Sequence, residues 1–371
     1  MANLEEALRS KKLKPASLRT ENSKPAPAKV VGFDDEDPNA IFTEDEVRKM
    51  KEAHFSTNMD RLVSQIGEEY TFPTVFFPLT VDQAKAMLVN SSAPNKIKKA
   101  HEGSTPYEND FQQLITKLDQ FIDSVQGHSN GCFVKLSCRS AKDVSVSSPK
   151  TFQIYQQEIA GRTQNKTLTP EELHNERVCA LYKASLHSMK VYSAKEALDL
   201  LLQSKRIAFD LELDVRFPSE FSTHVIVRPW REIPLMSEFR GFVTNKNLNA
   251  LSQYYTHCYF AELQTNKQEC QQVICDFFNR NIKDKIPLES YVIDFVVELD
   301  SSGKPSKCSV LELNPFNPST GACLFSWEDE KDEKVMREGP FEFRIWNQMP
   351  PKQRVKPGLT PEWQAIVYAD E

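Results

Sequence analysis

Two alternating stretches near the carboxyl end, YVIDFVVELD from Tyr291 and CSVLELNPF from Cys308, leave this chain few choices. Apolar residues recur at every second position, the period of a β-strand. The linker SSGKPSK between them is short and carries Gly and Pro, so the two strands should fold back as a hairpin. On the first strand Tyr291, Ile293, Phe295 and Val297 share one face, and Val292, Asp294 and Val296 the other. On the second, strict alternation puts Val310, Glu312 and Asn314 on one face. A register with Asp294 opposite Glu312 sets two carboxylates side by side among valines, where mutual repulsion and poor solvation both oppose ionisation. A divalent cation between them removes both penalties, and Asn314 adds a neutral oxygen. Three oxygen donors without His or Cys suit Mg²⁺ or Ca²⁺. Mg²⁺ completes its shell with water and phosphate, which favours a nucleotide as partner. The plain alternative is that both carboxylates sit on a solvated face and pair with lysines.

Cations elsewhere in the chain point the same way. Arg228 and Arg240 fall on strands expected to be neighbours, and Lys135 on the earlier apolar strand CFVKLS. A cation inside a strand needs an anion close by or must reach out to water. Taken singly, each is an ordinary surface charge; taken with two carboxylates and an Asn, they read as a phosphate and Mg²⁺ site. The chain has no GxxxxGK[ST], GxGxxG, HRD or DFG signature and only 11 glycines. An ATP site here must therefore be built from side chains on a sheet.

The order of periods along the chain predicts an α+β fold. Residues 1–42 are poor in aromatic and β-branched residues and run from basic to acidic, the composition of a disordered tail. Order should begin at Thr43, an N-cap candidate with Glu46 three residues on, in one helix through EDEVRKMKEAHFSTNMDRLVSQI. EEYTFPTVFFPLT reads as leading into a short apolar strand, and ENDFQQLITKLDQFIDSVQ as a helix. Thr169 with Pro170, and Ser193 with Glu196, open two further helices. From about Arg206 the period changes to alternation, and antiparallel strands follow, with the turn NKN between SEFRGFVT and NLNALSQYY. This gives a small lobe over 43–130, a core over 131–349 and a tail over 350–371.

A net charge of −6 does not suggest a nucleic-acid-binding surface. No amino-terminal signal segment and no membrane-length apolar run are visible, so a soluble, cytoplasmic chain without membrane contact is expected. The eight cysteines are too scattered for a metal or disulfide framework. Cys132, Cys138 and Cys323 read as buried inert thiols, because no His has an obvious partnering position. The side chain of His224 reads as packing, and Trp230, Trp327 and Trp346 as core or interface.

The segments FPLT, FVKLSCRSAKDV, VIVRPWREIPLMSEFRGFV, LSQYY, YVIDFVVEL, LELNPFNP and LFSWED, in this order, resemble the cell division cycle protein 123 family. The resemblance spans roughly Phe72–Val89, Gly131–Val144 and Ala184–Trp346, with residues 145–182 as an apparent insertion. It implies an ATP-grasp-like fold. It also implies an Mg-ATP-binding assembly chaperone for eukaryotic initiation factor 2 that holds the gamma subunit and is itself a monomer before client binding. An ATP-grasp ligase that activates a carboxylate through an acylphosphate is the alternative. By resemblance, Lys135 contacts phosphate and Asp143 closes the same segment. His224, Val225, Ile226 and Val227, leading into Arg228, form the strand beside adenine, where backbone groups can read the base. Arg240 is the arginine of the Glu-Phe-Arg strand, and Asp294, Glu312 and Asn314 are the metal ligands. This chain departs from the family at Ser137 and Cys138, and at Tyr254, where the family carries an arginine.

Overall fold

A computed structural model describes residues 30–31, 41–104, 106–125, 130–146, 148–351 and 359–369. The chain divides into two units, Met1–Ala53 and His54–Glu371. In the first, β1 (Val30–Val31) pairs antiparallel with β2 (Ile41–Phe42). The rest of the expected 1–42 tail lies outside the described residues. Helix Glu44–Phe55 opens on a reciprocal cap: Glu46 N donates to Thr43 Oγ1 at 3.3 Å, and Thr43 N to Glu46 Oε2 at 2.7 Å.

The second unit is α+β and contains two sheets. In the first, β3 (Val75–Pro78), β4 (Cys132–Leu136), β5 (Lys190–Val191) and β6 (His224–Pro229) lie in the order β3-β6-β4-β5, all antiparallel. In the second, β7 (Glu238–Thr244), β8 (Asn247–Gln253), β9 (Ser290–Leu299), β10 (Pro305–Asn314) and β11 (Glu342–Arg344) lie in the order β10-β9-β7-β8-β11. Only β11 departs from the antiparallel pattern, pairing parallel to β8. The β7–β8 turn is two residues, Asn245 and Lys246, both at positive φ (51° and 61°), the conformation that matches the twist of a tight hairpin.

Each sheet buries its own core. Helices Val81–Asn90, Glu108–Val125, Ala194–Leu201 and Lys205–Val215 pack Met87, Leu118, Leu198 and Leu211 on Phe77, Val134 and Val227 of the four-stranded sheet. Met59, Leu62, Ile274 and Phe278 cover one face of the five-stranded sheet through Phe239, Ile293, Phe295 and Val310. On its other face Phe242 and Val292 meet Phe316, Phe325 and Met336.

Two sequence expectations are corrected. The single helix expected over residues 44–66 is two, Glu44–Phe55 and Met59–Ile66, broken where Asn58 adopts a non-helical ψ of 142°. Alternation does not begin at Arg206. Ile207, Phe209, Leu211, Leu213 and Val215 alternate perfectly, yet Lys205–Val215 is a helix, started by Ser204 Oγ accepting from Ile207 N. Within the expected carboxyl-terminal tail, Pro361–Val367 is a helix whose Trp363 and Val367 are buried against Tyr155 and Val178 of helices Pro149–Thr163 and Pro170–Ser188. Among the described residues no helix is long and apolar enough to cross a membrane.

Candidate functional site

The hairpin of β9 and β10 pairs Glu312 directly with Asp294. Strict alternation would not do this. The register shifts between Val310, opposite Phe295, and Glu312, opposite Asp294, so Leu311 is an extra residue, a β-bulge. The face expected to hold Val310, Glu312 and Asn314 is therefore split. Val310 turns into the core with Phe295, while Glu312 and Asn314 share the face of Asp294. On the other side of β9, Asp294 faces Arg240 of β7. Arg240, Asp294 and Glu312 thus form one rung across three strands.

Two buried cations neutralise that rung. Arg240 grips Asp294 through both carboxylate oxygens, Nε to Oδ1 at 2.8 Å and Nη2 to Oδ2 at 2.7 Å, and donates through Nη1 to Gly321 O at 2.8 Å. Lys135, 3% exposed, reaches from β4 of the other sheet and donates to Glu312 Oε2 at 2.7 Å. Asn314 Nδ2 donates to Asp294 Oδ2 at 3.1 Å, and its carbonyl oxygen takes no part in that bond. Burial pushes the Glu312 carboxyl up, but Lys135, Lys142 and Arg240 together hold it well below the usual carboxylate range. The plain alternative raised by the sequence is thus half right: both carboxylates pair with cations, but in the interior. Their oxygens still suit a hard cation if those cations turn to an entering phosphate.

Three residues at the site escaped the sequence reading in these roles. Lys142 Nζ lies 3.3 Å from the hydroxyl of Tyr254, and the Arg240 guanidinium lies 4.9 Å from the centre of the same ring. Tyr254, read as a lost cation, is flanked by two of them. Glu238, on the Asp294 face of β7, is buried and accepts from Tyr255 Oη at 3.0 Å. Burial pushes its carboxyl up to about 7, against the Lys142 charge and the Tyr255 hydrogen bond. The sequence signals were slight: a lysine beside Asp143, and the Glu of the Glu-Phe-Arg strand.

Other expected residues lie elsewhere. Asp143 turns to the start of helix Lys205–Val215, where its Oδ1 accepts from Ser204 Oγ at 2.7 Å and its Oδ2 from Arg206 N at 3.4 Å. Arg228 and Arg240 are on different sheets. Arg228 is buried, and among the described residues no carboxylate lies within ion-pair distance of it. It donates to Thr74 Oγ1 at 2.9 Å, Thr71 Oγ1 at 3.1 Å and Leu311 O at 3.0 Å, and burial lowers its pKa to about 10. The backbone of Val225, Ile226 and Val227 pairs with β3 on one side and β4 on the other, and His224 N and O both bond to Ser137. These residues have no free edge to offer a base. The segment that follows does border an opening: Pro229–Ile233 line an open cleft. Lys135, Lys142, Arg228, Glu238 and Glu312 line the same cleft, as do Lys183 and His187 of helix Pro170–Ser188. Asp294, Arg240 and Asn314 are not among its lining residues. Five cations, Lys135, Lys142, Lys183, Arg228 and Arg231, and three carboxylates, Glu232, Glu238 and Glu312, line it, while Lys183 also pairs with Glu158 and Arg231 with Glu298.

Residues 180–360 match the model of the D123 family. Among curated proteins, the "Translation initiation factor eIF2 assembly protein" of Dictyostelium discoideum is 25% identical over 239 residues, 62% of this chain and 52% of that one. Its namesake in Schizosaccharomyces pombe is 29% identical over 161 residues, 40% of this chain and 48% of that one. The Xenopus tropicalis protein of the same name is 33% identical over 105 residues, 28% and 30% of the two chains. The chain matches about half the length of the first two relatives. Among solved structures, that of Cdc123 from Schizosaccharomyces pombe superposes with a TM-score of 0.53 at 20% identity, covering 80% of this chain and 98% of that one, a likeness of fold. The D123 match falls on the strands that carry Arg240, Asp294 and Glu312, so this part of the chain is similar to the D123 family.

Proposed function

We propose that this protein binds Mg-ATP and acts as an assembly chaperone for eukaryotic initiation factor 2, holding its gamma subunit. The observation that carries the nucleotide half is the cation-rich cleft, with Glu312 on its wall and Asp294 beside Glu312 on the same rung. Asp294, Glu312 and the carbonyl oxygen of Asn314 would hold Mg²⁺, which supplies charge neutralisation for a polyphosphate. Lys135 and Arg240 would exchange their carboxylate partners for phosphate oxygens, with Lys142 as a third cation. The apolar lining of Phe133, Leu186, Met189 and Ile233 suits a base, whose edge the backbone of Arg231–Ile233 could read in place of the committed strand Val225–Val227. This arrangement fits an ATP-grasp-like site.

The client half rests on the names of the relatives. The test is a binding measurement between the purified full chain and purified gamma subunit, with and without Mg-ATP. Tighter association in Mg-ATP supports the reading, and no association in either condition contradicts it. Metabolite-dependent release of ADP would instead favour a ligase.

A further inference from the structure

Cys138 was read as an inert thiol for want of a histidine partner. The fold supplies one. Leu136 and Arg139 exchange backbone hydrogen bonds of 2.9 and 3.2 Å, closing a tight turn with Cys138 at its tip, just after the strand that carries Lys135. There it meets His54 and Asp210 of helix Lys205–Val215. One ligand atom from each residue lies within 4.8 Å of the other two. His54 Nε2 is 3.4 Å from Asp210 Oδ1, and Cys138 Sγ is 3.4 Å from Asp210 Oδ2.

We propose that His54, Cys138 and Asp210 form a binding site for a zinc-class divalent cation, separate from the oxygen-lined Mg²⁺ site. Tetrahedral zinc with metal–nitrogen bonds near 2.0 Å and metal–sulfur bonds near 2.3 Å has ligand–ligand edges of about 3.3–3.8 Å. The two separations, one to each carboxylate oxygen of Asp210, are each of that size. Nitrogen, thiolate and carboxylate together select zinc over Mg²⁺ or Ca²⁺. A second observation comes from His54 Nε2, which is buried, aimed at Asp210 and makes no hydrogen bond of ordinary geometry. Arg139 Nε donates to Asp210 Oδ2 at 2.6 Å, the outer-shell contact that orients a ligating carboxylate. Thiolate and carboxylate balance the metal's two charges, and a water completes four-coordination. His54 and Cys138 are only partly buried. Bound metal would tie the end of β4, and with it Lys135, to helix Lys205–Val215.

The test is titration of the full metal-stripped chain with Co²⁺, followed by absorption, then displacement by Zn²⁺. Wild type should take up one equivalent with a thiolate-to-cobalt charge-transfer band and tetrahedral visible bands, and Zn²⁺ should raise its melting temperature. Cys138→Ser should lose the charge-transfer band, and Cys138→Ser and His54→Gln should each bind at least about 100-fold more weakly, beyond the loss usual for an outer-shell partner. Metal-free melting curves of both variants control for folding. Absence of cobalt uptake by wild type would overturn the proposal. So would a charge-transfer band that survives in Cys138→Ser, since another of the eight cysteines would then be the ligand.

Discussion

Arg228 donates through Nη1 to the carbonyl oxygen of Leu311 at 3.0 Å, and Leu311 is the bulged residue that brings Glu312 level with Asp294. Thr71 Oγ1 donates to Val310 O at 2.7 Å and accepts from Arg228 Nη2, so the bulge is held from two sides. Arg228 is thus a positioning residue for the carboxylate pair. Arg228→Lys keeps the charge but cannot make the same three contacts. It should cost about 1.5–3 kcal/mol of stability, the range for hydrogen bonds from a charged group, and weaken Mg-ATP binding through misplacement of Glu312. Denaturant unfolding and calorimetry of one preparation check both. A variant unchanged in both would mean the bulge holds itself.

Glu238 gives the protein a pH-dependent stability. Its carboxyl titrates near 7 in the fold against 4.5 when unperturbed. A raised folded pKa contributes stability that is fully present below about pH 4.5 and lost as pH rises through 7. The difference corresponds to about 3 kcal/mol. Glu238→Gln keeps a neutral acceptor for Tyr255, so its stability should gain on wild type as pH rises from 5 to 8. Unfolding curves across that range check it; a constant gap would place the Glu238 pKa at its ordinary value.

Ser204 starts a helix in a stretch that reads as a strand. Ser204→Ala removes the cap and the hydroxyl that Asp143 accepts from, at a cost of about 1 kcal/mol measured by thermal unfolding.

That helix illustrates what the sequence could and could not say. Side-chain period placed the β9–β10 hairpin and the capped helices at Thr43, Thr169 and Ser193, because local spacing and local caps decide those elements. The same rule failed at Lys205–Val215, where burial of Asp210 against the distant Arg139, and of Asp214 against Thr223 just beyond the helix, overrides the alternation. At the site, Asp294 and Glu312 were legible as a pair from one hairpin. The bulge that aligns them was not, since Arg228, Thr71 and Leu311 are brought together only by the tertiary fold. Lys142 was hidden for the same reason: its partner Tyr254 lies more than a hundred residues on.

Lys142→Met should leave the fold intact and remove one cation from the cleft. Loss of a charge-assisted contact of about 1.5–3 kcal/mol predicts Mg-ATP binding at least about tenfold weaker. Undiminished affinity would place the phosphates away from Tyr254.

Asp294 is a poor residue for testing the site, because removing it strands Arg240 as a buried unpaired charge at about 3–5 kcal/mol. Glu312→Gln is better, since the amide oxygen can still accept from Lys135 while the ligand charge is gone. The most direct measurement is calorimetric titration of the full chain with ATP, with and without Mg²⁺, for wild type and Glu312→Gln. Wild type should bind about one ATP in an Mg²⁺-dependent manner, and the folded variant should lose that binding. ATP affinity that is the same without Mg²⁺, or undiminished in Glu312→Gln, would contradict this.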